Sequence, residues 1–479
     1  MTLDEVQRTL KSDFGDSMDL VLTPARVCGQ EGLYAYLAGM TDRSLLEQGV
    51  IRPLAEAATC EVTAETLATH CHSAVPGKEV DGVPAAEDSV AAGQVMLWVT
   101  GRVFLFNLAQ YDKRAVAEPP TSAVLKGPRE GFGEDIGQNL TLLRRRVRDK
   151  SLICRRYSVG RITHTTVAVC FLSTVALPRV VDEIVRRIRS IDIDGVVDSA
   201  YIAQLIADNR NSIFPQYASA EKPDIITAKL LEGRVAVVVD GSPMVITFPC
   251  LLWEGYQDAE DYYRGNKRTT FLRVIRLIGM LLAVLLPAGY VAVQEYHYQV
   301  IPLKFLMTLV NATNGVPFSP TIEMFVVLVL FEILNEASVR MPKYVGMALS
   351  IVGAIVLGET AVNAGLLSSP AVLVMAMSAI GLYATPDHIG SFGLLRFVFL
   401  VMAGLFGFVG LLVSMAVVLC YLSTLTNFGA DYAAPIAPLI AADCKDSFFK
   451  APLYRMTRRP YSIPTRNRIR FREEDEDAP

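Results

Sequence analysis

The sequence predicts an α/β N-terminal region of two subdomains in the cytosol, followed by an α-helical polytopic membrane domain. A chain of 479 residues that is 52% hydrophobic and only 20% charged is too long for one compact domain and too apolar for an ordinary soluble protein. The charges are concentrated before about residue 280 and after about residue 443. Strand and helix patterns alternate in the first part, whereas Leu, Val, Ala, Gly, Met and Phe dominate the part between those limits.

The N-terminal region shows no pattern for export or for metal binding. The opening residues, Met-Thr-Leu-Asp-Glu-Val-Gln-Arg, lack the basic-then-apolar layout of a secretory signal, so we expect this region to stay in the cytosol. The eight cysteines show no metal-type pairing and have the contexts of reduced core thiols. His70, Cys71 and His72 lack two further ligands at zinc-finger spacing. We therefore expect no metal, no cofactor and no nucleic-acid partner.

The middle of this region combines strand and helix patterns. Residues 95–100 and 102–106, separated by Gly101, predict a β-hairpin, and residues 167–172 predict a further strand. Residues 180–191 predict a helix, because apolar side chains recur at helical spacing with arginines on the opposite side. The succession of strand and helix indicates an α/β unit.

A second helix and a second hairpin lead towards the apolar half. Residues 223–232 predict a helix, with Pro223 suited to its first turn and Gly233 to its end. Residues 234–239 and 244–248 flank an Asp-Gly-Ser-Pro turn and predict a hairpin.

The two subdomains are expected to meet between residues 113 and 120. Glu118, Pro119 and Pro120 would interrupt any regular element there. We therefore place the first subdomain at residues 1–115 and the second at residues 116–265.

Residues 127–146 open like a phosphate-binding loop and end in three arginines. Gly127, Gly131 and Gly133 do not match a Walker A loop or a dinucleotide fingerprint, and no Gly-Lys-Ser/Thr follows them, so we expect no nucleotide. A tight glycine-proline turn should instead lead into a helix from about Glu134. Two roles stay open for its last residues, a solvated basic face or a contact with an acidic surface of a neighbouring domain or subunit. These residues are Arg144, Arg145 and Arg146.

Four apolar stretches have about the 17 to 25 residues that a helix needs to cross a membrane. They cover residues 277–293, 321–339, 344–367 and 397–425. Residues 370–385 and 303–310 are shorter, and we interpret them as partial or re-entrant segments. Basic residues crowd the entry to the first stretch and follow the last one, so both ends should be cytosolic. We expect four full spans, a membrane domain at residues 266–442 and a polar cytosolic tail at residues 443–479.

Two further features concern the end of the chain. Gly404, Gly407 and Gly410 form a small-residue strip suited to close helix contact, within one subunit or between subunits. From Arg466 onwards, alternating arginines precede an acidic run at residues 473–477. Opposite-sign blocks without apolar periodicity indicate disorder, so deletion from Arg466 onwards should leave membrane insertion intact.

Carboxylates inside the apolar stretches need an explanation, because a lone one at the bilayer centre costs about 2.5 kcal/mol or more. Glu332, Glu336 and Arg340 share a helix face, and Glu336 can pair with Arg340. Two interpretations stay open: a structural ion pair near the cytosolic end of the helix, or a polar stripe along an aqueous path for ions. The candidate residues for such a path are Glu323, Glu332, Glu336, Glu359 and Asn335.

The path interpretation predicts different effects for two substitutions. Glu332→Gln should alter cation flow while the protein accumulates normally. Glu336→Gln should also destabilise the protein, because it would leave Arg340 without its partner.

From about residue 12 to residue 460, the chain resembles the A subunits of bacterial spore germinant receptors, the GerA family. In the α/β region the resemblance rests on Gly127, Pro128, Arg129, Glu130, Gly131 and Phe132, on the three arginines at 144–146, and on Glu221-Lys-Pro-Asp224, Asp240-Gly-Ser-Pro243 and Asp261-Tyr-Tyr263. In the apolar half it includes Phe331-Glu332-Ile333, Glu336-Ala337, Gly358-Glu359 and Ser369-Pro370. The chain departs from the family at Glu359, where the family usually has a glutamine.

The resemblance implies a receptor subunit of the spore inner membrane rather than an enzyme. It implies a transporter-like B subunit that holds the germinant, a lipoprotein C subunit, and a ring of A subunits whose helices form a channel for monovalent cations. One alternative is the related accessory protein AF of stage V sporulation, which is associated with dipicolinic-acid transport. A more distant alternative is a solute transporter acting alone.

Overall fold

The computed structural model describes residues 1–57, 61–71, 76–110, 126–340 and 356–471. Within these ranges an α/β region of two subdomains precedes a bundle of apolar helices. This is the fold class that the sequence predicts. The boundary expected between residues 113 and 120 lies outside the described residues.

The first subdomain is a five-stranded antiparallel sheet covered by helices on both faces. Helices α1 and α5 pack on one face, and α2, α3 and α4 pack on the other. The strands, in the spatial order β1-β2-β4-β5-β3, are β1 Leu20–Val27, β2 Gln30–Leu37, β3 Gly77–Val80, β4 Val95–Val99 and β5 Arg102–Phe106. The helices are α1 Leu3–Asp13, α2 Arg43–Leu46, α3 Arg52–Glu56, α4 Ala64–His70 and α5 Val83–Ala91.

The hairpin predicted around Gly101 is confirmed as β4 and β5, with Val99 opposite Arg102. Every residue of β4 is buried, because helices cover both faces of the sheet. This double burial explains why the strand is continuously apolar instead of alternating with polar residues.

The second subdomain repeats this plan. Its sheet is antiparallel with the order β6-β7-β9-β10-β8, α7 and α8 cover one face, and α6 and α9 cover the other. The strands are β6 Leu152–Val159, β7 Thr165–Leu172, β8 Ala218–Ala220, β9 Val235–Val239 and β10 Val245–Phe248. The helices are α6 Ile136–Arg146, α7 Pro178–Arg189, α8 Ser199–Ile206 and α9 Pro223–Leu231. These bounds confirm both predicted helices, the strand at 167–172 and the second hairpin.

The helical region begins after α10 Ala259–Tyr263. Its helices are α11 Asn266–Tyr296, α12 Leu303–Thr313, α13 Pro320–Arg340, α14 Ala361–Asn363, α15 Ser369–Leu382 and α16 Ile389–Thr424. We call the end of the bundle that touches the α/β region the near end, and the opposite end the far end. Helix α11 runs from the near end, where Arg273 and Arg276 contact Asp261, to the far end at Tyr296.

Helix α16 is a helical hairpin rather than the single span predicted at 397–425. Near its start Ser391 donates to the carbonyl of Ile213 in the second subdomain, and just past its end Asn427 donates to that of Gln216. The helix is interrupted at Gly407, which has φ 60° and ψ −143°. An ordinary residue does not adopt this conformation, so the chain reverses there and both ends of the hairpin lie at the near end. The single span expected at residues 397–425 is therefore wrong, whereas the total of four spans stays a prediction.

The three glycines of the predicted strip make close contacts with three different neighbours. A Cβ atom on Gly404 would lie 2.3 Å from the side chain of Thr321, one on Gly407 would lie 3.0 Å from Tyr296, and one on Gly410 would lie 2.1 Å from the carbonyl oxygen of Met402. The close packing is confirmed within one chain, but it closes the hairpin instead of forming a single helix face.

Within the described residues, two helical segments are long and apolar enough to cross a membrane by length and composition, Asn266–Tyr296 and Pro386–Thr424. The second of them is the hairpin that reverses at Gly407. The stretch predicted at 321–339 forms α13, which has 21 residues. The two shorter stretches form α12 and α15. The first half of the stretch at 344–367 lies outside the described residues.

The chain beyond the hairpin returns to the second subdomain. The Tyr461 and Ser462 amides donate to the Asp443 carboxylate at 2.9 and 2.7 Å. Thr465 pairs with Ala176, and the Arg466 amide donates to the carbonyl of Val175 at 2.8 Å. The disorder predicted from Arg466 onwards is therefore wrong as far as residue 471, because the backbone there finds partners in the folded region. The acidic run at 473–477 lies outside the described residues.

Candidate functional site

Residues 127–133 form a compact loop held from three sides. Gly127 has φ +123°, and a Cβ atom there would lie 2.7 Å from the Tyr263 ring. The Phe132 amide donates to the carbonyl of Glu221 at 2.7 Å, and the Phe132 side chain is buried. The Glu130 carboxylate accepts ion pairs from Arg145 at 3.3 Å and Arg146 at 3.0 Å. The loop therefore binds the helix that follows it.

Helix α6 begins on the Asp135 carboxylate, which accepts from the Gly137 amide at 2.6 Å. One turn further lies the buried side chain of Asn139. Its Nδ2 atom donates to the Gly133 carbonyl at 2.7 Å, and its Oδ1 atom accepts from the Gly133 backbone amide at 2.8 Å. A phosphate-binding loop would offer such an amide to its ligand. Here the Gly133 amide is already bonded within the protein.

Arg144 joins the two subdomains through a buried ion pair. Its side chain is 1% exposed, and its Nε and Nη2 atoms donate to the two Asp19 carboxylate oxygens at 2.7 and 3.1 Å. Nη2 also donates to the Ser17 hydroxyl at 3.1 Å. Burial raises the pKa of Asp19, but the charge and hydrogen bonds of Arg144 outweigh it, so the pKa lies below its usual value. Arg144 thus contacts a carboxylate of the neighbouring subdomain, whereas Arg145 and Arg146 bind their own loop.

A second buried network, which we call the joint, connects α10, α11 and the C-terminal segment. The Asp261 carboxylate accepts from Arg273 at 3.1 Å and from Arg276 at 2.8 Å. Arg273 also donates to the Asp446 carboxylate at 3.0 Å, and Lys450 donates to the Asp261 carbonyl. Burial raises the pKa of Asp261, but the hydrogen bonds and charges of the two arginines together outweigh it, so the pKa lies below its usual value.

Sequence reasoning missed the joint. The basic residues at the start of α11 were interpreted as an orientation signal and not as partners of a buried carboxylate. The pattern Asp261-Tyr-Tyr263 was the available signal, because an acidic residue beside two aromatic residues at a helix entry is suited to a buried ion pair. The partner Asp446 is 185 positions beyond Asp261 in the chain, so local pattern could not supply it.

In the helical region, Glu332 pairs with Arg396, a basic residue just before the last predicted apolar stretch. Arg396 donates to the Glu332 carboxylate and to the Ser378 hydroxyl, the latter at 3.3 Å, and its side chain is 3% exposed. Ser378 in turn donates to the carbonyl of Ala283 at 2.6 Å. Helices α11, α13, α15 and α16 therefore meet at one buried polar layer.

The other predicted path residues have other partners. Glu323 is buried and accepts from the Ser368 amide, and Asn335 accepts from the Tyr383 hydroxyl at 2.8 Å. The predicted pair of Glu336 and Arg340 is confirmed, with 2.7 Å between Arg340 Nε and Glu336 Oε1. Glu359 is exposed. The structure thus brings Glu336 and Arg340 together but gives Glu332 a different partner.

Within the described residues, no group of three or more His, Cys, Asp or Glu side chains is placed to hold a metal ion. His72, one of the residues considered for a metal, lies outside the described ranges. The fold and its buried ion pairs thus define a protein that couples a two-part α/β region to a bundle of apolar helices.

The chain belongs to the family described as the Bacillus/Clostridium GerA spore germination proteins, whose model matches residues 8–462. It is 30% identical to spore germination protein KA of Bacillus subtilis, over 98% of this chain and 88% of that protein. It is 32% identical to spore germination protein GerLA of Bacillus cereus, over 97% of this chain and 96% of that protein. These relationships place the protein in spore germination, and family and apolar helices together indicate membrane association.

Among solved structures, the chain is similar to the N-terminal domain of the A subunit of the Bacillus megaterium spore germinant receptor GerK3. The identity is 26%, the TM-score is 0.41, and the match covers 52% of this chain and 95% of that domain.

Proposed function

We propose that this chain is the A subunit of a germinant receptor in the inner membrane of a dormant endospore. Both ends lie in the cytosol, a B subunit holds the germinant, and a lipoprotein C subunit completes the receptor. Family membership and the two long apolar helices support this assignment. The chain leaves the α/β side through α11, and both ends of the α16 hairpin lie beside the α/β region, which supports an even total number of crossings.

In this proposal, copies of the chain assemble around an aqueous path for monovalent cations. The observation that carries it is an exposed charged pair on α13, where the side chains of Glu336 and Arg340 are 65% and 78% exposed. The same helix exposes Ile322, Phe325 and Ile333. Charges facing lipid are costly, so this part of α13 faces water or another copy of the chain.

The structure favours Glu336 over Glu332 as the residue that attracts cations. Arg396 neutralises Glu332 within the chain, so a ring of subunits would not present a row of free Glu332 charges. Glu336 also has a counter-charge, Arg340, but this pair is exposed to solvent, so the Glu336 carboxylate can face ions in an aqueous path. Carboxylates repeated around one axis raise the local concentration of cations.

The joint is the proposed route from the α/β region to the helices. Asp261 belongs to the last helix of the α/β region, whereas Arg273 and Arg276 belong to α11. A displacement of α10 therefore moves the start of α11 directly, since the pairs between them are buried.

The test is early potassium release from germinating spores, with the amount of subunit in the inner membrane measured in parallel. Glu336→Gln should accumulate normally and release potassium more slowly or with altered selectivity. Glu65→Gln, which removes an exposed charge from α4, is the matched control and should behave as wild type. Wild-type release from Glu336→Gln spores would overturn the role of this face of α13.

Liposomes holding the purified chain separate the alternative functions. Passive cation flux supports a channel, whereas solute uptake without partner subunits supports a carrier. A deletion strain that releases potassium normally but retains dipicolinic acid would favour the stage V accessory protein over the receptor.

A further inference from the structure

A basic cleft lies at the seam between the two subdomains. The Met18 amide donates to the Cys154 carbonyl at 2.8 Å, and the Cys154 amide donates to the Ser17 hydroxyl at 3.0 Å, so the edge strands β1 and β6 approach each other here. Beside this contact is a cleft of about 770 Å³, which we call the seam cleft. Its lining includes Lys11, Leu20, Leu22, Arg155, Arg156 and Arg189.

Four cations and one carboxylate, Asp16, line the seam cleft. Arg155 lies 5.2 Å from the Phe171 ring, Arg189 lies 5.2 Å from the Tyr157 ring, and Arg156 donates to the Thr166 hydroxyl at 3.2 Å. Within the described part of the chain, none of the four cations forms an ion pair with a carboxylate. The arginines at 144–146 differ, since each of them has a carboxylate partner.

The wall formed by β6 also offers backbone hydrogen-bonding groups. Strand β6 is at the edge of its sheet, and both the amide and the carbonyl of Cys154 point away from β7 towards residues 17 and 18. Residues two apart in a strand present their backbone groups to the same side, so those of Arg156 point towards the seam cleft. An unpaired strand edge with arginines beside it suits an extended acidic segment, which adds as a further strand.

We propose that the seam cleft binds the acidic C-terminal segment of this chain, residues 473–477. These five residues are Glu-Glu-Asp-Glu-Asp, which complement the four cations of the cleft. The chain leads this segment to the subdomain that carries the cleft, because Thr465 and Arg466 bind Ala176 and Val175 just after β7, the neighbour of β6. Residues 468–471 then pair with residues 457–459, and Arg459 donates to the carbonyl of Leu231 in α9 of the same subdomain. The docked segment bridges β1 and β6, and so reinforces the seam that Arg144 and Asp19 already hold.

The experiment places a photo-cross-linking amino acid, benzoylphenylalanine, at Leu22 in the full-length chain. Leu22 lines the cleft on the β1 side. The matched control carries the same group at Ile162, an exposed apolar residue in the turn between β6 and β7. After irradiation and digestion, mass spectrometry should recover residues 472–479 linked to position 22 and not to position 162.

Two charge variants test the recognition. Replacing the carboxylates of residues 473–477 by amides changes no described residue and should reduce the cross-link about tenfold, as expected for two lost ion pairs of up to about 1 kcal/mol each. The double variant Arg155→Glu and Arg156→Glu should show the same loss, with its melting temperature measured to confirm that it is folded. Arg179→Glu, about 15 Å along α7 from Arg189, should cross-link as wild type.

The proposal is overturned if position 22 forms no cross-link to residues 472–479, or if it links instead to another segment or another protein. It is also overturned if the amide variant of the tail cross-links as strongly as the wild-type tail.

Discussion

Removing the charge of Glu332 tests whether the buried layer in the helical bundle is structural. Glu332→Gln keeps the size of the side chain but leaves Arg396 without a counter-charge. The Arg396 side chain is 3% exposed, and its remaining side-chain partner among the described residues is the neutral hydroxyl of Ser378. The substitution therefore leaves an uncompensated charge inside the bundle.

The size of the effect follows from burial. Breaking a buried ion pair by removing one partner costs about 3–5 kcal/mol, because the remaining charge stays desolvated. Glu336→Gln is the comparison, since that pair is exposed and exposed pairs are worth about 0–1 kcal/mol. The structure thus reverses the expectation from sequence, in which Glu336 carried the loss of stability and Glu332 did not.

The assay is thermal unfolding of the purified chain in detergent, together with the amount of each variant in spore membranes. Glu332→Gln should unfold at a clearly lower temperature and accumulate poorly, whereas Glu336→Gln should match wild type in both measurements. A double variant, Glu332→Leu with Arg396→Met, should recover most of the lost stability, because apolar residues of similar volume often replace a buried pair without cost.

Two results would refute this reasoning. One is a Glu332→Gln protein that is as stable and as abundant as wild type, which would mean that Arg396 finds water or another counter-charge. The other is a double variant no more stable than Glu332→Gln, which would mean that packing around Glu332 and not its charge decides the stability.

Three further predictions concern the interdomain pair, the hairpin and the joint. Because the pKa of folded Asp19 is depressed, its stabilisation is present above its unfolded pKa of about 3.9 and is lost as the pH falls through the folded value. Asp19→Asn should therefore lower the unfolding free energy by about 3–5 kcal/mol at neutral pH. As the pH falls, the variant should lose less stability than wild type, because it lacks this titrating carboxylate; denaturant titrations across pH measure both effects. Gly407→Ala should destabilise by about 1–3 kcal/mol or more in thermal unfolding, because a side chain strains that backbone. Gly289→Ala, where an added Cβ meets nothing within 4 Å, should be neutral or stabilising by up to about 1 kcal/mol. Asp261→Asn should lower the melting temperature and slow potassium release per receptor, and normal values for both would exclude the joint as a route of coupling.

The elements of the α/β region could be predicted because their patterns are local. The helix α9 has Pro223 at its start and Gly233, with φ +98°, after its end, so its bounds follow from residues within one turn. The hairpin of β4 and β5 likewise depends on the turn at Gly101, with φ +90°. Neither depends on a distant part of the chain.

Long-range partners could not be predicted in the same way. Arg144 is 125 positions from Asp19, and Arg396 is 64 positions from Glu332. A basic residue in sequence indicates only that a counter-charge or water is needed, and several carboxylates were available to each arginine. The packing of the subdomains and helices selects the partner, because it brings one carboxylate within bonding distance and buries the pair.

By itself the sequence determined the division into an α/β half and an apolar helical half, and it determined the family, because hydrophobic patterning and motifs are written along the chain. The tertiary structure alone decided that residues 389–424 reverse at Gly407. Apolar composition is the same for one long helix and for two short ones, so hydropathy could not distinguish them. The reversal depends on contacts of that segment with Tyr296 at the far end and with the second subdomain at the near end, which exist only in the folded chain.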